Sequence, residues 1–309
     1  AAATSYTNND CPLVPFYVFY SMFGFQRVGD LCWAAGDLQA RGFLMGATSG
    51  RTTLNGEGLQ HQDGHSHILA GTVPNCVTYD PTYAYELAVI IQRGLEEMYV
   101  RKQAKYYYIT VMNENYVQPA MPEGCEEGII KGLYLLQKNT RKNNKKAVQL
   151  LGSGTILREV LAAADLLRDE FGVDADVWSA TSFNELRREG LTTSRWNMLH
   201  PEETPRVSYV EQCLGGTKGP VIASTDYVKS YADQIREFIP ASYTVLGTDG
   251  FGRSDSRERL RHFFEVDRYF VVLAALTALV KDNVLPPGVV SEAIKKFNIN
   301  PDKPNPAVS

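Results

Sequence analysis

Several signals that would settle a function at once are missing from this sequence. No stretch approaches the roughly 20 apolar residues of a membrane span. No CxxC pair occurs, and the five cysteines (Cys11, Cys32, Cys76, Cys125, Cys213) are scattered and odd in number. That excludes a disulfide scaffold or zinc ribbon and reads as reduced thiols in a cytoplasmic compartment. Basic residues are not in excess: the formal charge is −4, which argues against nucleic acid as a partner, because phosphate binding needs a basic face. There is no Gly-x-Ser-x-Gly elbow of a serine hydrolase. Gly152-Ser153-Gly154 lacks the third glycine of a dinucleotide fingerprint, since position 157 is Leu, and reads as a tight strand-to-helix turn. In the stretch 46–53 Gly50 is followed by Arg51 rather than Lys, so a phosphate loop is not encoded there. The chain also lacks an initiating Met and a secretory leader layout. Its Ala1-Ala2-Ala3 start reads as the end of a helix in a fragment or processed chain.

What is present describes a globular protein. Forty-four per cent of the 309 residues are hydrophobic and 21 per cent are charged, enough for two domains with full cores. Apolar runs at 13–20, 42–47, 73–79 and 106–112 read as strands. Helical spacing fills 26–40, and Asp80-Pro81 reads as an N-cap with proline at the first helical position. This alternation implies a parallel sheet covered by helices on both faces. Residues 137–146, including the run from Lys138 to Lys146, contain little that is apolar and read as a surface linker. The pattern then restarts, with strands at 147–151, 177–180, 221–224 and 243–246 and closing helices at 268–281 and 289–297. Ser182 and Glu185 form a capping box between them. The expected fold is α/β: two doubly wound domains, 1–136 and 147–309, joined by the linker.

Histidine is scarce, yet three of the five cluster within Gly56-Glu57-Gly58-Leu59-Gln60-His61-Gln62-Asp63-Gly64-His65-Ser66-His67. Glycines at 56, 58 and 64 make this an ordered loop rather than a helix. Imidazole exchanges protons near neutral pH, so the loop is the first candidate for chemistry. Three readings stand: donors to a substrate or cofactor, loop-stabilising hydrogen bonds, and a metal site. The last requires an extended backbone that puts His61, Asp63, His65 and His67 on one face, and it would make a metal-dependent hydrolase. Tyr20 and Phe23 fall at the carboxyl end of the first strand, where open α/β sheets bind ligands; core packing is the competing reading for these aromatics.

Several strings resemble a known family. They are Phe16-Tyr17-Val18-Phe19-Tyr20-Ser21-Met22-Phe23-Gly24-Phe25-Gln26-Arg27, Thr52-Thr53-Leu54-Asn55-Gly56-Glu57-Gly58-Leu59-Gln60-His61, Arg195-Trp196-Asn197-Met198-Leu199-His200-Pro201 and Gly247-Thr248-Asp249-Gly250-Phe251-Gly252-Arg253-Ser254-Asp255. The chain resembles the C-terminal portion of pyruvate dehydrogenase (acetyl-transferring) of the homodimeric bacterial type. That is the thiamine-diphosphate component of the pyruvate dehydrogenase complex. The resemblance implies a transketolase-like pyrimidine-binding domain, incomplete at its N-terminus, followed by a transketolase C-terminal domain that serves the dimer rather than the cofactor. It implies that Phe23 stacks on the aminopyrimidine of thiamine diphosphate and that Tyr20 and His61 face the substrate carboxylate. It leaves Glu57, His65 and His67 in supporting positions. It implies pyruvate as substrate, a second copy as partner, and a lipoyl domain of dihydrolipoamide acetyltransferase as acceptor. Mg²⁺ and the diphosphate need a Gly-Asp-Gly motif that this sequence does not contain. The ring-protonating glutamate of the family would lie upstream of Ala1. By resemblance, therefore, the chain alone is inactive; a non-catalytic scaffold is the alternative.

Overall fold

The computed structural model describes residues 1–139 and 145–309. The middle of the expected linker, residues 140–144, lies outside the described residues. A short α1 (Ser5–Asn8) leads into a first unit. Its strands are β1 (Phe16–Phe19), β2 (Phe43–Ala47), β3 (Cys76–Tyr79) and β4 (Tyr106–Val111), all parallel in the order β1-β2-β4-β3. Its helices are α2 (Phe25–Asp37), α3 (Ser66–Ala70), α4 (Ala84–Leu95) and α5 (Glu126–Lys131). The three consecutive tyrosines of β4 show why this strand is central. Alternation sends Tyr106 and Tyr108 to one face, where they pack with Phe25, Cys32 and Ala70, and Tyr107 to the other, among Ile90, Met98 and Ile129. Each hydroxyl finds a partner, respectively the Cys32 carbonyl, the Ser66 hydroxyl and the Glu97 carboxylate.

The second unit has β5 (Tyr134–Gln137), β6 (Ala147–Gly152), β7 (Asp174–Ser179), β8 (Val221–Ser224) and β9 (Tyr243–Leu246) in the order β5-β7-β6-β8-β9. Helices α6 (Leu157–Phe171), α7 (Phe183–Leu199), α8 (Tyr209–Leu214), α9 (Lys229–Asp233), α10 (Arg257–Phe263), α11 (Arg268–Lys281) and α12 (Gly288–Lys296) cover it. Leu157, Val160, Leu260 and Leu276 fill one face and Phe183, Leu186, Val210 and Tyr231 the other. Each fully buried aliphatic side chain of this kind stabilises the fold by about 1.5–3 kcal/mol. Burial of every position on both faces explains why β6 and β8 are largely apolar rather than alternating, with Gln149 and Ser224 as their polar residues.

The structure departs from the sequence expectations in two elements. The strand Tyr134–Gln137 straddles the expected end of the first domain but pairs antiparallel with β7 of the second sheet. Its side chains pack into both cores, so composition alone did not mark the change of sheet. The helix expected after Asp80-Pro81 begins instead at Ala84. There Glu86 Oε2 accepts the amide protons of Thr82 and Tyr83, at 2.5 and 3.0 Å. The segment that would have been its first turn is held by the second unit: the Asp80 amide donates to the Thr181 carbonyl, and Thr82 Oγ1 donates to the Gly154 carbonyl. Of the capping box expected at Ser182 and Glu185, one half forms: the Ser182 hydroxyl accepts the Glu185 amide, while the Ser182 amide donates to the Gly132 carbonyl instead.

Candidate functional site

The parallel strands β1 and β2 end on the same side, and each hands over to a loop that carries chemistry. After β1 a single 3-10 turn, Ser21–Phe23, buries Ser21, whose hydroxyl donates to the Thr48 carbonyl at 3.2 Å. This leaves Tyr20 and Phe23 on the outside of the turn. After β2 comes the long glycine and histidine loop, residues 48–65. It returns His61 to the same place. The His61 ring centroid lies 5.4 Å from that of Tyr20 and 5.2 Å from that of Phe23, with 5.9 Å between Tyr20 and Phe23. The three rings form a partly open wall at the carboxyl ends of the strands. Arg27 lies over the Phe23 ring, 4.2 Å from its centroid.

The polar edge of this wall is one imidazole nitrogen. His61 Nδ1 is buried and has no hydrogen-bond partner among the described residues. Glu57 Oε2, one helical turn earlier in sequence, stands 3.7 Å from it, beyond hydrogen-bond range. A buried imidazole nitrogen without a partner is expensive unless something else satisfies it. Here it marks a position that a ligand can occupy.

The other two histidines do not join it. The loop is not extended: residues 59–61 turn, and His65 opens the helix α3. The alternation expected to place His61, Asp63, His65 and His67 on one face therefore does not occur. His67 is fully buried, stacked on Tyr231 at 4.8 Å and edge-on to Tyr227 at 4.8 Å, with Nε2 3.0 Å from Thr110 Oγ1. Burial drives its pKa down to about 4, against the opposing pull of Asp63. His65 is half-buried, and burial likewise lowers its pKa, with Asp63 opposing. Asp63 itself is an internal cap, accepting the amides of His65 and Ser66 and the Ser66 hydroxyl. Among the described residues no group of three or more His, Cys, Asp or Glu could hold a metal ion. The hydrolase alternative thus loses its converging ligands.

Sequence reasoning passed over the residues that hold the loop's entry. Arg51 is buried, and its Nη1 donates to the Thr248 carbonyl at 3.0 Å and to the Gly250 carbonyl. Asp226, after β8, accepts the amides of Thr52 and Thr53 at 2.8 and 3.0 Å and both threonine hydroxyls at 2.7 and 2.6 Å. The stretch 46–53, which superficially suggests a phosphate loop, is instead a latch onto the second unit. Its one readable signal was Arg51, an arginine inside an otherwise small and polar run.

Comparison with known proteins bears on the family and the fold. Residues 1–119 match the family model described as the pyruvate dehydrogenase E1 component middle domain, and residues 132–267 match the transketolase-like TK C-terminal domain. The pyruvate dehydrogenase E1 component of Pseudomonas aeruginosa is 67% identical over 307 residues, which are 99% of this chain and 35% of that protein. The chain belongs to the pyruvate dehydrogenase E1 component family. It spans about a third of the length of the curated relatives it matches, with 35% of the P. aeruginosa protein covered. Solved transketolases share the fold. That of Campylobacter jejuni superposes with a TM-score of 0.62 at 19% identity, over 86% of this chain and 36% of that one. A structure described as a split gene transketolase, inactive beta4 tetramer, superposes with a TM-score of 0.60 at 16% identity, over 90% of this chain and 80% of that one. This E1-family chain therefore has a transketolase-like α/β fold. No helix of its described residues is long and apolar enough to cross a membrane.

Proposed function

We propose that the E1 polypeptide carrying this chain decarboxylates pyruvate on thiamine diphosphate and reductively acetylates the lipoyl group of dihydrolipoamide acetyltransferase. In this reading the chain supplies the wall that meets the aminopyrimidine ring and the substrate. The observation that carries it is the convergence of Tyr20, Phe23 and His61 at the carboxyl ends of β1 and β2. An aromatic face at Phe23 suits a heteroaromatic ring, and the unpartnered His61 Nδ1 suits a polar ligand atom. The diphosphate and Mg²⁺ do not fit in the same way: the sequence has no Gly-Asp-Gly, and the described residues hold no metal-ligand cluster. Those ligands belong to other parts of the enzyme, and a second copy completes the site.

Thiamine diphosphate, when bound, supplies the electron sink for decarboxylation. The residues of this chain orient and stabilise. Phe23 would hold the aminopyrimidine ring by stacking. Tyr20 and His61 present donors to the carboxylate of pyruvate, so that its charge is met in a site the aromatic rings keep partly dry. Arg27, 4.2 Å over the Phe23 ring, adds a positive charge beside this wall. Glu57, whose carboxylate stands 3.7 Å from His61 Nδ1, borders the same edge, and His65 and His67 support the loop. Residues 1–136 act as the pyrimidine-binding part and 147–309 as the transketolase C-terminal part, with the strand from Tyr134 already committed to the second sheet.

Two experiments test this. In the full-length enzyme His61→Ala should lower pyruvate turnover by about 10²-fold or more, the range for a lost donor or acid–base group, with an unchanged melting temperature. Unchanged turnover removes His61 from the site. The isolated chain supplied with thiamine diphosphate and Mg²⁺ should show no turnover, in keeping with the inactive state stated for the split-gene transketolase chain of similar extent. Robust activity would overturn the assignment of the diphosphate site to another part of the enzyme. A cytoplasmic location follows from the same reading.

A further inference from the structure

The His61 ring has no side-chain anchor, so something else must set its position. Its Nδ1 is unpartnered, Glu57 is beyond hydrogen-bond range, and the two neighbouring rings give only contact surface. The backbone of residues 53–62 must therefore place it. That backbone is gripped from the second unit. Gln62, next to His61, is fully buried. Its Nε2 donates to the Leu54 carbonyl at 2.8 Å, and its Oε1 accepts the Arg253 amide at 2.7 Å. The Gly56 amide donates to the Asp255 carbonyl at 3.2 Å, and Arg257 Nε donates to the Thr53 carbonyl at 2.7 Å. Gly252 packs flat on the loop: a Cβ there would stand 2.7 Å from Gln62 Oε1 and 3.1 Å from Leu59 Cα.

We infer that Gln62 is a positioning residue for His61, and that residues 252–257 of the second unit are the rigid support it acts through. The C-terminal part of the chain then shapes the reaction directly, beyond any part it has in assembly. Both Gln62 bonds run to backbone atoms in low-dielectric surroundings, so their geometry is stiff. They cross from one end of the loop to the other and from one unit to the next. A loop held this way keeps the imidazole within the narrow range of positions that productive geometry allows. This inference rests on the proposed role of His61.

The test uses the full-length enzyme and four variants: Gln62→Ala, Gly252→Ala, His61→Ala and the Gln62→Ala/His61→Ala double. Gln62→Ala cuts the bonds; Gly252→Ala adds a single methyl from the opposite side and touches no ligand. Each should lower kcat by about 10- to 100-fold, the cost of an ångström-scale displacement, while KM for pyruvate and the Kd for thiamine diphosphate stay within about twofold. The double variant should be no slower than His61→Ala alone, because a residue acting only through His61 has nothing left to act on. A merely structural Gln62 predicts a further, additive loss in the double variant or a weakened Kd, and either outcome overturns the inference. So does an unchanged kcat in Gly252→Ala, which remains decisive where Gln62→Ala does not fold. If His61→Ala itself turns over normally, the role of His61 fails and the positioning of it falls with it. If His61→Ala is slow and the other variants are additive, only the positioning fails.

Discussion

The buried pair His67 and Asp80 should give this protein a hidden pH dependence that one substitution exposes. Thr110 Oγ1 lies between them, 3.0 Å from His67 Nε2 and 2.7 Å from Asp80 Oδ1. Its hydroxyl proton goes to Asp80, so it accepts from His67, which is therefore the neutral Nε2–H tautomer. Burial lowers the His67 pKa to about 4 against the opposing Asp63. Burial also raises Asp80 to about 7, with Asp226 and Asp63 adding to the rise and hydrogen bonds from Thr110 and Ser153 opposing it. For His67 alone, the unfolded chain takes a proton below about 6.5 and the folded one only below about 4, so stability falls as pH drops through that window, by about 3 kcal/mol. For Asp80 alone, the folded carboxyl keeps a proton that the unfolded chain has lost, so stability falls as pH rises from about 4 to about 7, by about 4 kcal/mol. The two slopes are opposite over nearly the same window. Folded and unfolded states each carry one proton on the pair, in different places, and the dependence cancels.

Asp80→Asn keeps the shape and removes one of the two titrations. Urea unfolding of wild type and variant between pH 4.5 and 7.5, in steps roughly a fifth of the shifts at issue, provides the check. The difference in unfolding free energy, variant minus wild type, should rise with pH by up to about 4 kcal/mol, because the variant escapes the cost of the buried carboxyl at high pH. It should also lose stability as pH falls below about 6.5, when His67 is left uncompensated. A difference that is flat in pH refutes the argument. So does one that falls as pH rises, since the sign follows from which group holds the proton.

Two further outcomes follow from burial. Asp226→Ala strands the amides and hydroxyls of Thr52 and Thr53, so urea unfolding should show a loss of about 3–5 kcal/mol; a loss under about 1 kcal/mol would mean that water replaces the carboxylate. Thiol labelling of the native protein should modify the exposed Cys11 fast and leave Cys32 and Cys76 unmodified until denaturation, because burial pushes Cys32 up to about 11 and Cys76 above its ordinary value; rapid native labelling of Cys76, read by peptide mass mapping, would contradict the packing around Tyr106.

Much of the fold was legible in local pattern. Val221–Ser224, Tyr243–Leu246 and Arg268–Lys281 have the bounds expected from apolar runs and periodicity, since their ends are marked by turn residues and an Asp267 cap. The late start of α4 was not legible. Asp80-Pro81 carries a sound local helix signal, but tertiary pairing with Thr181 and Gly154 outcompetes it. The antiparallel β5 was hidden for a similar reason, because a strand's partner is chosen by packing across the sequence and not by its own composition. At the site, glycine punctuation marked the loop and strand polarity marked its place. That His61 would meet Tyr20 and Phe23 depended on the family resemblance, because ring contacts across 38 to 41 residues leave no periodic trace.

The grip of the second unit on this loop is the least legible feature, and the reason is chemical. Gln62 and Asp226 act largely on backbone groups, the Leu54 carbonyl and the amides of Arg253, Thr52 and Thr53, and every residue except proline offers both an amide and a carbonyl. The backbone part of each contact is therefore free in side-chain identity, as at Leu54 and Arg253, and only the hydroxyls of Thr52 and Thr53 tie Asp226 to particular residues. What sequence can record is the exclusion that accompanies such a contact. Gly252 lacks a Cβ because Gln62 and Leu59 already fill that space, and Gly64 lacks one because the Arg51 guanidinium does. Glycines in ordinary backbone conformation are thus the signal to look for, since no turn requires them. Gly252, unlike Gly56 and Gly58, has no positive φ to justify it. Its presence points to a close approach, and the close approach is to the residue beside His61.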